Sequence, residues 1–185
     1  SVAAQQVFGG HGYIEEWANA RLVREAQIGL LWEGTTNMNA LDVIARAVGK
    51  EHAEEALAAD VATWLDAAKG CPGQFKSRLQ QTFDRAIDFA RKVAGDPAHE
   101  RHSRTAAAGL YHATTAALMA AEGAVLGASG SDARRLLIAR LTLDRRLNPV
   151  DPLAIGESAF EAAAAPLLLR DEPVALDTAT ELLTR

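Results

Sequence analysis

An apolar stripe between Phe75 and Val93 constrains the fold of this 185-residue chain more than any other feature. Similar stripes run through residues 51–68 and 98–127, while aromatic residues make up only 5% of the composition. Alanine-rich helices with few aromatic side chains can approach each other closely, so we expect an all-α helical bundle. The residues of the stripe recur every three or four positions, which places them on one helical face: Phe75, Leu79, Phe83, Ala86, Ile87, Ala90 and Val93.

Charge and cysteine content narrow the class of protein. The formal net charge of −5 disfavours a general polyanion-binding surface. Cys71 is the sole cysteine, so no intrachain disulfide can form and a reducing compartment is expected. Its segment, Gly70–Gly73, is expected to be a turn and not a redox site. No apolar run approaches the ~20 residues of a bilayer span, and no signal peptide opens the chain. The sequence therefore predicts a cytoplasmic protein without a membrane span.

Three motifs follow one another between Gln6 and Arg46: FGGHGY, ARLVRE and LLWEGTTNM. Gly9 and Gly10 are expected to end a helix and to leave a bare backbone that a ligand can approach closely. A short helix is expected over Glu15–Gln27, with Arg21 and Arg24 facing outward or paired with acids. The apolar run Ile28–Trp32 that follows is not helically periodic, and burial beside it would raise the pKa of the Glu33 carboxyl group. A carboxylate with a raised pKa suits a general base that removes a proton from carbon.

In order and spacing, these motifs resemble the C-terminal end of flavin-dependent acyl-CoA dehydrogenases. The resemblance is closest over residues 1–50. It implies that Glu33 is the general base that takes the α-proton of an acyl-CoA thioester while the β-hydrogen leaves as hydride to the flavin. It also implies an electron-transfer flavoprotein or other electron acceptor, and a homo-oligomer, either a dimer or a tetramer. The implied cofactor is FAD, contacted by Gln6, Gly9, Gly10, Thr35 and Asn37.

The sequence departs from the family pattern at four positions. Trp32 stands where tyrosine is usual, Ala18 where proline is frequent, Glu25 where aspartate is usual, and Asn39 where glutamine is common. A tryptophan in place of this tyrosine also occurs in the family branch that is linked to the response to DNA alkylation. The substrate class is therefore left open by the motif.

The composition becomes acidic and alanine-rich from Glu51, which predicts a domain boundary near Gly49 and Lys50. We expect residues 1–50 to be the end of a dehydrogenase helical domain and residues 51–185 to be an appended helical bundle. The chain begins as if a helix were already under way. On the resemblance, the flavin-binding β-domain and the helices that cover the substrate would lie upstream in a longer protein.

Two further sequence patterns, one of histidines and one of arginines, are candidates for functional sites. His99, His102 and His112 lack the i, i+4 spacing of a two-histidine zinc motif, so no metal site is expected. Residues 131–150 concentrate basic side chains, which suits either a DNA-contacting face or a face of ion pairs. The ion-pair interpretation is favoured because leucines bury the opposite side and the chain is acidic. The basic residues are Arg134, Arg135, Arg140, Arg145 and Arg146.

Two alternatives to the dehydrogenase interpretation remain at this level. One is a flavoprotein of the alkylation-response type with a DNA-binding helical domain, for which nucleic-acid binding would have to be steeply salt-dependent. The other is a helical oligomerisation module without catalytic activity. Acyl chain length, branching and the electron acceptor are not specified by the sequence.

Overall fold

The computed structural model of the chain describes residues 6–32, 34–148 and 158–184. Within these ranges all regular elements are helical, which confirms the all-α expectation. The α-helices of the described residues are α1 (Gly10–Tyr13), α2 (Ala18–Trp32), α3 (Thr36–Leu41), α4 (Ala53–Ala67), α5 (Gly73–Ala94), α6 (Ser103–Ala128), α7 (Arg134–Thr142), α8 (Ala159–Leu169) and α9 (Leu176–Thr184).

Two helices change their hydrogen bonding before they end. α3 continues as a π-helical stretch, Asp42–Val48, and α7 continues as another, Leu143–Leu147. At their ends the backbone N–H of Gly49 donates to Ile44 O, and that of Asn148 donates to Leu143 O, each at 3.0 Å and five residues back along the chain. A 3₁₀ turn, Pro97–His102, leads into α6. Such wider and tighter turns follow no simple apolar period and were not predicted.

Helix α5 carries the predicted stripe. All seven residues of the stripe are buried, and Phe83 is fully buried. Burying a phenylalanine side chain completely stabilises the fold by about 1.5–3 kcal/mol relative to leaving it exposed. The stripe is therefore the main anchor of the bundle, as the sequence pattern indicates.

Helix α6 runs through the centre of the bundle, and its buried face only partly matches the face that the sequence predicts. The residues predicted to face inward are Ala107, Leu110, Tyr111, Thr114, Leu118, Ala121 and Val125. Leu110 and Ala121 are buried, whereas the exposed fractions of Tyr111, Leu118 and Val125 are 65%, 38% and 57%. Small residues occupy the packed face instead, and they let the neighbouring helices approach the α6 backbone closely. The buried residues of α6 are Ser103, Ala106, Leu110, Ala113, Ala116, Ala117, Ala120, Ala121, Gly123, Ala124 and Gly127.

The last three helices are joined through one arginine. The Arg140 guanidinium lies over the Phe160 ring, 4.0 Å from its centroid, and its Nη1 donates to Leu182 O at 2.6 Å. Arg140 thus links α7 to both α8 and α9. Pro166 lies inside α8, and the helix runs on past it to Leu169.

The hydrophobic core crosses the predicted domain boundary. Ile44 and Val48, on the N-terminal side of Gly49, are buried in the same cluster as the residues of α4 to α9. The boundary after residue 50 stays a prediction, but the stretch from Thr36 to Val48 packs against the C-terminal bundle. The largest fully buried side chains of this core are Phe83, Ile44, Leu136, Leu137, Leu143, Val61 and Val174.

Helix α2 is longer than the sequence pattern predicted. A short helix was expected over Glu15–Gln27, followed by a non-helical apolar run, Ile28–Trp32, but α2 starts at Ala18 and includes that run. The expectation failed because consecutive apolar residues do not show a 3.6-residue period even when they are helical. Ala20 and Val23 are buried, and α2 packs against α1.

Candidate functional site

The glycine turn lies at the exposed start of α1. Gly9 caps this helix with a φ of 56°, a backbone conformation that a side chain disfavours. Its N–H donates to Gln6 O at 3.1 Å, so the turn that ends the preceding helical residues is closed locally. A β-carbon added at Gly9 or Gly10 would meet no atom within 4 Å. The φ explains Gly9, but no packing within the described chain explains Gly10, and the bare backbone stays open to a ligand.

Helix α2 places the two arginines of the second motif in local ion pairs. Arg21 Nε lies 2.7 Å from Glu25 Oε1, one turn along the helix. Arg24 forms a bidentate pair with Glu15, in which Nη2 and Oε2 are 2.9 Å apart. This pairing agrees with the expectation that Arg21 and Arg24 face outward or pair with acids. The Arg24–Glu15 pair also ties α2 to the segment that follows α1.

Glu33, the predicted general base, lies outside the described residues. Its neighbour Trp32 was expected to help bury it, but the Trp32 side chain is 80% exposed. The Trp32 side chain is thus not buried as expected, and the burial of Glu33 itself stays a prediction. Any burial of Glu33 that involves Trp32 must therefore come from atoms that cover this surface.

The loop after Glu33 is held by an asparagine. Gly34 has a φ of 91°, and the Asn39 amide Nδ2 donates to Gly34 O at 3.3 Å. Thr35 is the N-cap residue of α3, but its hydroxyl makes no capping hydrogen bond. Asn37 is exposed in the first turn of the same helix. Both side chains are thus presented at a helix N-terminus, where backbone N–H groups favour anions.

The residues around these motifs expose an unusual amount of apolar surface. We call this region the N-terminal apolar surface. A monomeric soluble protein rarely leaves so many large apolar side chains uncovered within one short stretch. The region is typical of an interface with another part of a protein or another copy. Its exposed members are Val7, Phe8, Tyr13, Ile14, Trp17, Leu22, Ile28, Trp32, Met38 and Val43.

The basic segment after residue 131 forms ion pairs within the chain. Arg134 pairs with Asp132 at 2.6 Å, and Arg135 pairs with Glu122. Arg145 pairs with Glu161 through Nε at 2.6 Å, and Arg140 lies 3.5 Å from Asp144. An arginine that already faces an acid offers less charge to a phosphate backbone. This geometry agrees with the favoured ion-pair interpretation of the segment.

A cluster of charged residues at the start of α4 was not selected from the sequence. Glu54 is buried, and it faces Arg91 of α5, whose Nε lies 2.9 Å from Glu54 Oε1. His52 and Glu55 lie beside it. A histidine followed at i+2 and i+3 by two glutamates matches no standard ligand spacing, so the sequence does not indicate that these side chains form a cluster.

Cys71 is buried, and burial raises the pKa of its thiol to about 11. A thiol with so high a pKa carries little thiolate at neutral pH and is a poor nucleophile. This agrees with the interpretation of Gly70–Gly73 as a turn without redox chemistry.

The described helices were compared with the length and apolar character needed to cross a bilayer. None of them, over residues 6–32, 34–148 and 158–184, meets both requirements. The cytoplasmic location stays a prediction.

Comparison with known proteins gives matches to the first quarter of the chain. Residues 2–49 match the family described as "Acyl-CoA dehydrogenase, C-terminal domain". A curated relative, Acyl-CoA dehydrogenase family member 11 of Caenorhabditis elegans, is 47% identical over 47 residues. That stretch is 25% of this chain and 8% of the relative, so the chain spans only a small part of the relative's length. No solved structure matches the chain.

The matched residues include all three motifs, from the Gly9-Gly10 turn through Glu33 to Asn37. They also contain the whole N-terminal apolar surface. The resemblance drawn from the motifs is thereby confirmed: residues 2–49 match the C-terminal domain of the acyl-CoA dehydrogenase family.

Proposed function

We propose that this chain is the C-terminal part of an FAD-dependent acyl-CoA dehydrogenase that introduces an α,β double bond into an acyl-CoA thioester. The observation that carries the proposal is the family match over residues 2–49, which includes the WEGT motif around Glu33. Glu33 is the proposed general base. The remainder of the active site would be supplied by parts of the protein outside these residues.

The described residues fit the proposed cofactor. Gly9 and Gly10 present backbone with free space where a β-carbon would stand, which suits close approach by an extended ligand. Thr35 and Asn37 lie exposed at the N-terminus of α3, which suits phosphate oxygens. Gln6 is exposed beside the glycine turn. When bound, FAD supplies the acceptor for the β-hydrogen that leaves the substrate as hydride.

The proposed chemistry of this chain is the removal of one proton from carbon. A carboxylate holds that proton best when its pKa is raised toward the working pH by removal of water. Since Trp32 is 80% exposed in this chain, that water would be excluded by whatever covers the N-terminal apolar surface. In this proposal, the contacts that cover the N-terminal apolar surface therefore also remove water from Glu33.

The proposed partners follow from the same surface. An acyl-CoA substrate and an electron-transfer flavoprotein or other acceptor belong to the dehydrogenase activity. A homo-oligomer, dimer or tetramer, is supported by exposed side chains such as Phe8, Tyr13 and Trp17, which need an apolar neighbour to be removed from water.

The experiment is anaerobic flavin reduction in the complete protein. Mixing the FAD-loaded protein with an acyl-CoA is expected to bleach the visible flavin absorption. Glu33→Gln should retain FAD and slow bleaching by about 10²–10⁴-fold, the usual value of a general base. Glu16→Gln, which removes an exposed acid from the same segment, is the control and should bleach at the wild-type rate. Bleaching by Glu33→Gln at the wild-type rate would remove Glu33 from the mechanism.

A further inference from the structure

The start of α4 gathers three side chains that ligate metals. His52, Glu54 and Glu55 each place one ligand atom within 4.8 Å of the other two. The His52 Nδ1 atom and Glu54 Oε1 are 4.0 Å apart. They line a cavity of about 370 Å³ together with Val48, Gly49, Arg91, Ala94 and Gly95.

Glu54 supplies the observation that points to a ligand. Its side chain is 1% exposed, and Oε2 has no hydrogen-bond partner although it is removed from solvent. A buried carboxylate oxygen without a partner is costly, because a charged group loses its hydration and gains nothing in return. The other oxygen, Oε1, accepts a hydrogen bond from Arg91 Nε at 2.9 Å. One oxygen of Glu54 thus has a hydrogen-bond partner, and the other has none.

This division of the two oxygens is the usual arrangement of a ligating carboxylate. In metal sites a neighbouring donor orients the carboxylate through one oxygen while the other binds the ion. Arg91 would be that outer-shell donor, and its guanidinium also lies 3.9 Å from Glu55 Oε1. Two carboxylates against one guanidinium leave a local charge of −1 when His52 is neutral. The cluster therefore retains negative charge for a cation.

The remaining two ligands can move to complete the site. Ligand atoms about 2.1 Å from a tetrahedral metal lie about 3.4 Å from one another, so the observed separations must close by up to about 1.4 Å. His52 and Glu55 have side-chain exposures of 66% and 69%, and neither is packed in the core. The fixed ligand is the buried Glu54, and the exposed ligands adjust. His52, whose Nδ1 now lies 4.0 Å from the Arg91-bound Oε1, would turn toward Oε2.

We propose that His52, Glu54 and Glu55 bind one divalent first-row transition-metal ion, with Zn²⁺ as the ion to test. One imidazole and two carboxylates suit such ions, whereas Mg²⁺ and Ca²⁺ take oxygen ligands almost exclusively. The sequence predicts no metal site, because the spacing of His99, His102 and His112 does not suit one. The proposed site uses other residues and departs from that prediction. It lies in the bundle and does not depend on the proposed dehydrogenase activity.

The test is calorimetric titration of the chelator-stripped complete protein with ZnCl₂. Saturable binding of one ion per chain is expected at this site. Glu55→Gln and His52→Gly should each weaken the affinity at least tenfold. His52 adopts a left-handed φ of 53°, which glycine takes without strain, so His52→Gly removes the imidazole without disturbing the backbone. Circular dichroism would check that both variants keep their helix content.

Two control variants separate this site from adventitious binding. Asp66→Asn removes an exposed acid from the other end of α4, and His102→Gln removes a histidine outside the cluster. Both should bind Zn²⁺ with affinity within twofold of the wild type. The absence of saturable binding would overturn the proposal. So would unchanged affinity in His52→Gly and Glu55→Gln, or loss of binding in His102→Gln, because the ion would then lie elsewhere.

Discussion

At the scale of single residues, Asp132 shows how one side chain can join distant parts of the chain. Its Oδ1 accepts the backbone N–H groups of Arg134 and Val174, each at 3.0 Å. Burial by itself would raise the pKa of this carboxyl. The two N–H groups and the Arg134 guanidinium outweigh that effect and hold its pKa below the ordinary value of 3.8. An aspartate just before a helix is a cap residue that a sequence can indicate, but the contact of Asp132 with Val174 spans 42 residues and could not be predicted.

This lowered pKa predicts how stability depends on acid. A carboxyl whose pKa is lower in the folded state stabilises fully above its unfolded pKa, about 3.9, and loses that contribution as the pH falls through the folded value. Asp132→Asn should lower the free energy of unfolding at pH 7 by about 1–3 kcal/mol, since a charged acceptor is lost. Urea unfolding at pH 7 and pH 3 should show the gap between wild type and variant shrinking at pH 3. An equal gap at both values would contradict this account.

At the scale of elements, α5 and α6 show what an apolar pattern can and cannot specify. In α5 large side chains recur every three or four residues, so the period identifies the buried face directly. In α6 alanine and glycine form the buried face, and they contribute little to a hydrophobic pattern in which Tyr111, Leu118 and Val125 stand out. Which face of α6 is buried depends on how closely the neighbouring helices can approach it, and the sequence of α6 alone does not show this.

Two glycines of α6 test this packing. A β-carbon at Gly123 would lie 2.6 Å from Leu136 N and 3.1 Å from the Arg135 backbone, whereas one at Gly109 meets only Ala86 Cβ at 3.9 Å. Gly123→Ala should therefore destabilise the fold by about 1–3 kcal/mol, because α7 must move away. Gly109→Ala should stabilise it by up to about 1 kcal/mol through helix propensity. Thermal or urea unfolding compares the two, and similar effects in both would show that the α6–α7 contact is not tight.

The motif-bearing residues show a different limit. The order FGGHGY, ARLVRE, LLWEGTTNM was enough to identify the family segment, and the left-handed Gly9 agrees with the turn predicted there. The environment of Glu33 could not be predicted in the same way. Burial of a side chain at a surface depends on what covers it, and Trp32 proves exposed in this chain. The same reasoning missed Glu54, whose burial comes from a contact with α5 and not from its local sequence.

At the scale of the whole molecule, stability is concentrated in the bundle. The core runs from Ile44 to Leu183, and among the described helices α5 and α6 contribute the largest numbers of buried residues. Helix α2 buries Ala20 and Val23 among its described side chains and packs against the short α1. The N-terminal apolar surface lies on this less buried part. Within residues 2–49, the stretch from Thr36 to Val48 is held by the bundle, whereas most described side chains before it are exposed.

This distribution predicts uneven protection of backbone amides. In the 185-residue chain, amides of α2 should exchange with deuterium much faster than those of α5 and α6, because few buried contacts oppose local opening of α2. Hydrogen exchange followed by mass spectrometry would compare the three helices directly. In the complete protein the protection of α2 should rise as the apolar surface is covered. Equal protection of α2 and α5 in the isolated chain would contradict this description.

The central claim is that Glu33 removes a proton from the α-carbon of an acyl-CoA. The most direct measurement is exchange of that proton with solvent, followed by proton NMR of an acyl-CoA in D₂O with the FAD-loaded complete protein. The wild type and the Glu16→Gln control should replace the α-hydrogen with deuterium. Glu33→Gln should retain FAD and slow this exchange by about 10²–10⁴-fold. Exchange at the wild-type rate in a folded, FAD-loaded Glu33→Gln protein would contradict the account.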